Sequence, residues 1–358
     1  MNSNSYHPIW YQRNRPFSKK AKHTISQFGF SGNSIQTIQA TISREWNAAL
    51  EQGKIHKDSI STDLMPEISL AMYYGAFAAN GHNLFSFTDR IGEMLSNTKA
   101  SEVPISALQS PYPYYFVQFH KAVSWGNLEI TGAYIVDVPT LLQVCLVLKP
   151  LNDSSHWMAS PSGYFYLPLS KESDTSLGDI IQQTIDSEIA SKWEHATKSM
   201  PIEDPAIIDL REQRAKRETM DLSSGRQAIQ QAMEYLANCL CYLSSHRLLE
   251  TEFPSDAPKS LLDKLNNAKT TKQKQKAESQ LKSMGYLPVT YIRLDLDEST
   301  ISTGKGDGTS KKQHWRRGHW RNQRKGQSLS ISELIWIKPT LVGDADSDED
   351  DVREYRLT

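Results

Sequence analysis

The stretch Leu141-Leu142-Gln143-Val144-Cys145-Leu146-Val147-Leu148 is nearly continuous in apolar character. A run of this length and composition reads as a central strand covered on both faces, because a strand with one wet face alternates apolar and polar residues. Cys145 is then a small core residue. Around it, Tyr114 to Phe119, Leu128 to Val138 and Tyr164 to Leu169 are rich in aromatic and β-branched residues and stand close enough together to form a meander. Strand character resumes at Val289 to Leu296 and at Leu329 to Leu341. The fold class expected from this pattern is α+β: an antiparallel or mixed sheet from the middle and C-terminal strands, with helices packed on it and an N-terminal helical portion.

Helical spacing fills the rest. Ile35, Ile38, Ile42, Trp46 and Leu50 recur at three-and-four steps behind a candidate Ser34 cap. A second helix is expected from Leu64 to Ala79 with Pro66 in its first turn, and a third from Thr88 to Ser96 with Thr88 as N-cap. Leu177 to Trp193 carries Ile180, Ile181, Ile185 and Ile189 along one face, and Pro201 and Pro205 mark its end. From Ser224 to Leu249, the residues Ile229, Met233, Leu236, Leu240 and Leu243 form the seam of a long helix suited to a central scaffold. Ser260 to Met284 is helical in type but lysine-rich.

Composition bounds the function class more than it names it. A chain of 358 residues with 38% hydrophobic and 23% charged residues is a globular protein needing no staple. Cys145, Cys239 and Cys241 lack framework spacing, which fits a reducing cytoplasm. No apolar run is long enough to span a bilayer, so no membrane contact is expected. Cys239 and Cys241 would point to nearly opposite sides of a helix, and Gly308 is followed by Thr309 rather than a P-loop lysine, so neither a metal nor a nucleotide cofactor is expected.

The formal net charge of −1 hides a polarised distribution. Between Asp307 and Glu333 no acid interrupts Lys311, Lys312, Arg316, Arg317, Arg321, Arg324 and Lys325, and Trp315 and Trp320 lie among them. A field of this sign attracts polyanions, and flat indoles offer stacking faces, so single-stranded RNA is the expected ligand class. The candidate binding set is His314, Trp315, Arg316, Arg317, His319, Trp320, Arg321, Arg324 and Lys325. The other reading is a solvated basic hairpin or loop whose tryptophans pack on the domain beneath.

The H-x-R-R-G-H-W run from His314 to Trp320, followed by an apolar strand holding Trp336 and Pro339, resembles the C-terminal end of a phage-encoded type V anti-CRISPR family with relatives on bacterial mobile elements. The resemblance implies a noncatalytic recognition protein. Members of that family lower production of a CRISPR effector nuclease by acting on its nascent N-terminal peptide and its messenger RNA. The implied partners are therefore RNA or a ribosome-associated nascent polypeptide, with a host nuclease as the agent of RNA loss. An alternative from the residues alone is a metal-dependent nuclease acting on RNA, with Asp295, Asp297 and Glu298 at a strand end holding the ion and His314 or His319 as general base.

The ends of the chain complete the expected layout. Residues 1–33 read as a basic-aromatic arm, with Tyr6, Trp10, Tyr11 and Phe17 among Arg13, Arg15, Lys19, Lys20 and Lys22 and no acid. Residues 34–343 form the globular region: helical over 34–100, strand-rich over 110–170, helical over 175–285, and closing with strands and the basic motif over 288–343. Residues 344–358 are an acidic tail carrying Asp344, Asp346, Asp348, Glu349, Asp350 and Asp351.

Overall fold

The computed structural model describes residues 6–15, 17–52, 65–126, 128–150, 164–172, 174–198, 205–245, 251–292, 314–325 and 331–342. Four helices come first: α1 (His7–Asn14), α2 (Ser18–Phe28), α3 (Gly32–Glu51) and α4 (Met65–Ala79). Strand β1 (Leu84–Phe87), helix α5 (Asp89–Ser96) and the short β2 (Thr98–Lys99) follow. The meander is β3 (Tyr114–Trp125), β4 (Leu128–Val138), β5 (Leu141–Pro150) and β6 (Tyr164–Ser170). Helices α6 (Leu177–Lys198) and α7 (Pro205–Ser245) come next, then β7 (Thr251–Glu252), α8 (Lys259–Asn266), α9 (Thr271–Ser283) and β8 (Val289–Ile292). The chain closes with β9 (His314–Arg316), β10 (Gly318–Lys325), β11 (Ile331–Ile337) and β12 (Thr340–Val342). The fold is α+β.

The large sheet has the order β6-β5-β4-β3-β1-β8-β7. Antiparallel pairing runs through the meander from β6 to β3, as short connections between sequential strands dictate. β1 then lies parallel to both β3 and β8, which makes the sheet mixed. Only Leu84 to Phe87 are needed for this, a stretch too short to stand out in the sequence.

Both faces of the sheet are covered. On one side Val144 and Leu146 of β5 join Val117, Phe119 and the seam of α7, where Ile229, Met233, Leu236, Leu240 and Leu243 are all buried. Cys145 and Val147, pointing the other way, pack with Phe116, Tyr134 and the helices α1 to α4. α7 also meets β3 at Gly225, where a Cβ would fall 2.0 Å from the Trp125 indole. Glycine is what lets that ring lie against the helix backbone.

The N-terminal segment, read as a basic-aromatic arm, packs into the fold over its described residues. Tyr6, Ile9, Trp10, Tyr11 and Phe17 are buried core residues of the second layer. Arg13 lies 4.2 Å from the Tyr286 ring centroid and its Nε donates to Gly285 O, while Gln12 Nε2 donates to Lys282 O. Aromatic density without acids thus marked an apolar plug, with Lys19, Lys20 and Lys22 exposed and Arg13 and Arg15 half-buried. Other differences are local. Ile35, counted on the core stripe, is 41% exposed, and Ser34 hydroxyl donates to Gly29 O rather than capping α3. Ser260 to Met284 divides into α8 and α9, and Leu329 to Leu341 into β11 and β12. The side chains of Trp46 and Leu50, and all of residues 293–313 and 343–358, lie outside the described residues.

Candidate functional site

The basic motif is not a loop: it forms the strands β9 and β10, one arm of a hairpin. β10 runs antiparallel to β11 with Trp320 opposite Trp336, and β9 runs antiparallel to β12 with Arg316 opposite Thr340. One register continues through both ladders, so residues 314–325 and 331–342 are the two arms of a single hairpin. The ladder breaks only where Arg317 faces Pro339, which has no N–H to donate. Gly318 beside that break is 2.7 Å from Ile337 O and Pro339 Cδ at the position a Cβ would take, and its N–H donates to Asn97 O at 3.0 Å. A side chain there would force the two arms of the hairpin apart, beside the point where β10 pairs in parallel with β2.

Because successive residues of a strand point to opposite faces, the motif is divided in two. Trp320 turns inward and is only 6% exposed. It stacks on Trp336 with ring centroids 5.7 Å apart and planes at 17°, and Trp336 meets Tyr242 of α7 edge-on at 5.6 Å. A polar network fixes both indoles. Trp320 Nε1 donates to Asn238 Oδ1 at 2.8 Å, and Asn238 Nδ2 donates to Thr98 O at 2.8 Å and to Glu234 O at 3.0 Å. Trp336 Nε1 donates to Thr98 Oγ1 at 3.2 Å. Trp320 therefore leaves the candidate contact set: its stacking face is used up by Trp336. The packed-tryptophan reading holds for this residue.

Solvent meets the other residues. Arg316, Arg317, His319, Arg321 and Arg324 are exposed. Among the described residues, no carboxylate lies within ion-pair distance of the four arginines. His319 stands opposite Ile337, itself 41% exposed, and Arg321 opposite Ile335, so a column of cations runs beside a column of isoleucines. Lys99 extends the cations onto β2 beside His319, though it is paired with Glu102 at 3.3 Å. The side chains of His314, Trp315 and Lys325 fall outside the described residues although their strands do not.

The acidic cluster Asp295, Asp297 and Glu298 of the nuclease alternative also lies outside the described residues. Among those described, no group of His, Cys, Asp and Glu side chains is arranged to hold a metal, and no helix is long and apolar enough to cross a membrane. Cys145, Cys239 and Cys241 are buried free thiols whose titration burial pushes upward. Sequence reading missed Asn238 and Thr98, which orient the whole hairpin. The available signal was an amide inside the apolar seam of α7, a position that demands a partner for each of its polar atoms.

A buried polar cluster sits in the other layer. Arg15 pairs with Glu67 at 3.1 Å, and burial raises the Glu67 carboxyl while Arg15 draws it back. His7 Nδ1 lies 3.0 Å from Tyr134 Oη, and burial, then Arg15, lowers its pKa to about 3. These groups tie α1 to α4 and the sheet.

No curated protein matches the chain. The crystal structure of AcrVA2 is similar to it with 14% identity and a TM-score of 0.44, covering 96% of this chain and 100% of that one. A model of the AcrVA2-like family, the anti-CRISPR type V subtype A2 family, matches residues 85–344, from β1 through the meander, α7 and the hairpin, and the chain belongs to that family.

Proposed function

We propose that this protein acts as a noncatalytic recognition protein that lowers production of a CRISPR effector nuclease, by engaging the messenger RNA and the nascent N-terminal peptide it encodes. Degradation of the message then falls to a host nuclease in the cytoplasm. Membership of the anti-CRISPR family supports the general role. The observation that carries the molecular reading is the hairpin's two-sidedness: Trp320 and Trp336 are locked into the core while Arg317, His319 and Arg321 face water on the opposite side of a rigid frame, with Arg316 and Arg324 also exposed. Fixed cations on a strand suit regularly spaced phosphates, and arginine offers forked donors to each. With Trp320 buried, the exposed arginines recognise RNA through its phosphates, so binding is strongly salt-dependent and tolerant of sequence.

The test is the triple substitution R316Q/R317Q/R321Q. Exposed charges contribute little to folding, so melting should stay within roughly 1 kcal/mol of wild type. Binding to a labelled single-stranded RNA should weaken, with a shallower dependence on salt, and cells co-expressing an effector reporter should recover its message and protein. Full suppression by a variant that no longer binds RNA would move the activity off this face. A variant that melts far below wild type would make the arginines structural.

A further inference from the structure

A second group of cations, which the proposed function leaves unused, gathers on the other layer of the sheet, where α1, α2 and α9 meet. Gln12 Nε2 donates to Lys282 O at 3.0 Å and Arg13 Nε to Gly285 O at 3.2 Å, so α1 lies against the C-terminal turn of α9. Arg13 is held there with its guanidinium over the Tyr286 ring. α2 buries Ser18, Ala21, Thr24 and Ile25 and crosses α4 at Gly75, where a Cβ would fall 2.8 Å from Ile25 Cγ1 and 2.9 Å from Ala21 O. That close crossing fixes the rotation of α2. Lys19 and Lys22, one turn apart on the same flank, are left in solvent. His82 marks where the cations of α2 and α9 converge: it follows α4 with its ring edge-on to Phe77 at 5.5 Å, and both Lys22 and Lys282 oppose its protonation.

Opposite charge is scarce around this group. No acid occurs between Met1 and Arg44. Glu278 stands one turn before Lys282 on α9, yet among the described residues no ion pair joins a carboxylate to Lys19, Lys22 or Lys282. Lys19 and Lys22 lie about 4.5 Å apart along their helix, close to the roughly 3.4 Å between successive charges of one nucleic-acid strand.

We propose that Arg13, Lys19, Lys22 and Lys282 form a second phosphate-binding surface, which holds the backbone of RNA on the layer opposite the hairpin. The choice of RNA as the polyanion rests on the recognition reading above. Trp320 and Trp336 pack into one core and α1 and α2 into the other, so the two basic surfaces lie on different sides of the sheet. A short strand touches one of them at a time, whereas a long one passing round the molecule engages both and gains by avidity.

Fluorescence anisotropy of the full chain with labelled single-stranded RNAs of about 8 and about 60 nucleotides tests this. K19Q/K22Q/K282Q should weaken binding of the long RNA roughly tenfold or more at low salt, and its salt slope should become shallower by about 2, at about 0.7 per lost phosphate contact. The charge-keeping K19R/K22R/K282R should bind as wild type does. An equal loss in that variant would assign the effect to packing and overturn the surface. Unchanged binding by K19Q/K22Q/K282Q, beside weakened binding by R316Q/R317Q/R321Q, overturns the second surface and leaves the recognition reading standing. The reverse pattern keeps the surface and moves recognition off the hairpin. A wild-type chain that binds neither RNA overturns both. Lysine-dependent binding to phosphatidylserine vesicles, with RNA affinity untouched by the same substitutions, gives the patch to a lipid surface and overturns the proposal.

Discussion

At the scale of single residues, the most consequential side chains are polar groups placed where water cannot reach. Asn238 satisfies its oxygen and both donors on Trp320, Thr98 and its own helix, which is why an amide is tolerated in an apolar seam. His7 and His82 are buried as neutral rings. Burial lowers each pKa to about 3, helped at His7 by Arg15 and at His82 by Lys22 and Lys282. The unfolded chain takes up protons near 6.5 and the folded one does not until far lower. Stability is therefore complete above that value and is lost as pH falls toward 3, by about 2 kcal/mol per histidine at about pH 5. A melting series against pH should show this slope, and H7Q/H82N should flatten it. An asparagine suits position 82, where φ is 61°. A wild-type melting temperature unchanged between neutral pH and about pH 5 would mean that these rings are solvated.

At the scale of elements, the hairpin and α7 form one unit. The sequence displayed cations and tryptophans together, but strand geometry turns Trp320 into the core and His319 and Arg321 out to solvent, so one stretch serves both core and surface. Had Gly318 to Arg321 been taken as alternating, the inward turn of Trp320 would have been legible from Gly318, His319, Trp320 and Arg321 alone. The phase was hidden because the arginines at 316 and 317 are adjacent and Pro339 breaks the ladder opposite them. Trp320→Phe tests the unit. It keeps an aromatic ring beside Trp336 but strands Asn238 Oδ1 without its donor, at a cost of about 1–3 kcal/mol. Urea denaturation should show a lower midpoint with the slope unchanged, and RNA binding at low temperature should survive, since the outward face is untouched. A midpoint equal to wild type would show that the network holds nothing.

At the scale of the whole molecule, the sheet is a shared wall between two cores, and each was visible to a different degree. The α7 seam, the strands Leu128 to Val138 and Leu141 to Leu148, and burial on both sides of Cys145 were legible in local periodicity, because a pattern of two or three-and-a-half residues is a property of the chain itself. What covers the second face was not. Tyr6, Trp10, Tyr11 and Phe17 look the same in sequence whether they dock a partner or their own sheet, and only the packing of α1 and α2 against Phe116 and Tyr134 decides it. Deleting residues 1–28 should therefore remove cooperative unfolding and near-ultraviolet circular dichroism, and a truncated chain that melts like wild type would return these helices to the role of an arm. The sequence by itself determined the strands of the meander and the seam of α7, that the chain is α+β, and where its cations gather. Tertiary structure alone decided that β1 lies between β3 and β8, that Asn238 reaches Trp320, and that the basic run is split between core and solvent. Such contacts join residues far apart in the chain, and their free energy depends on distances that no local pattern encodes.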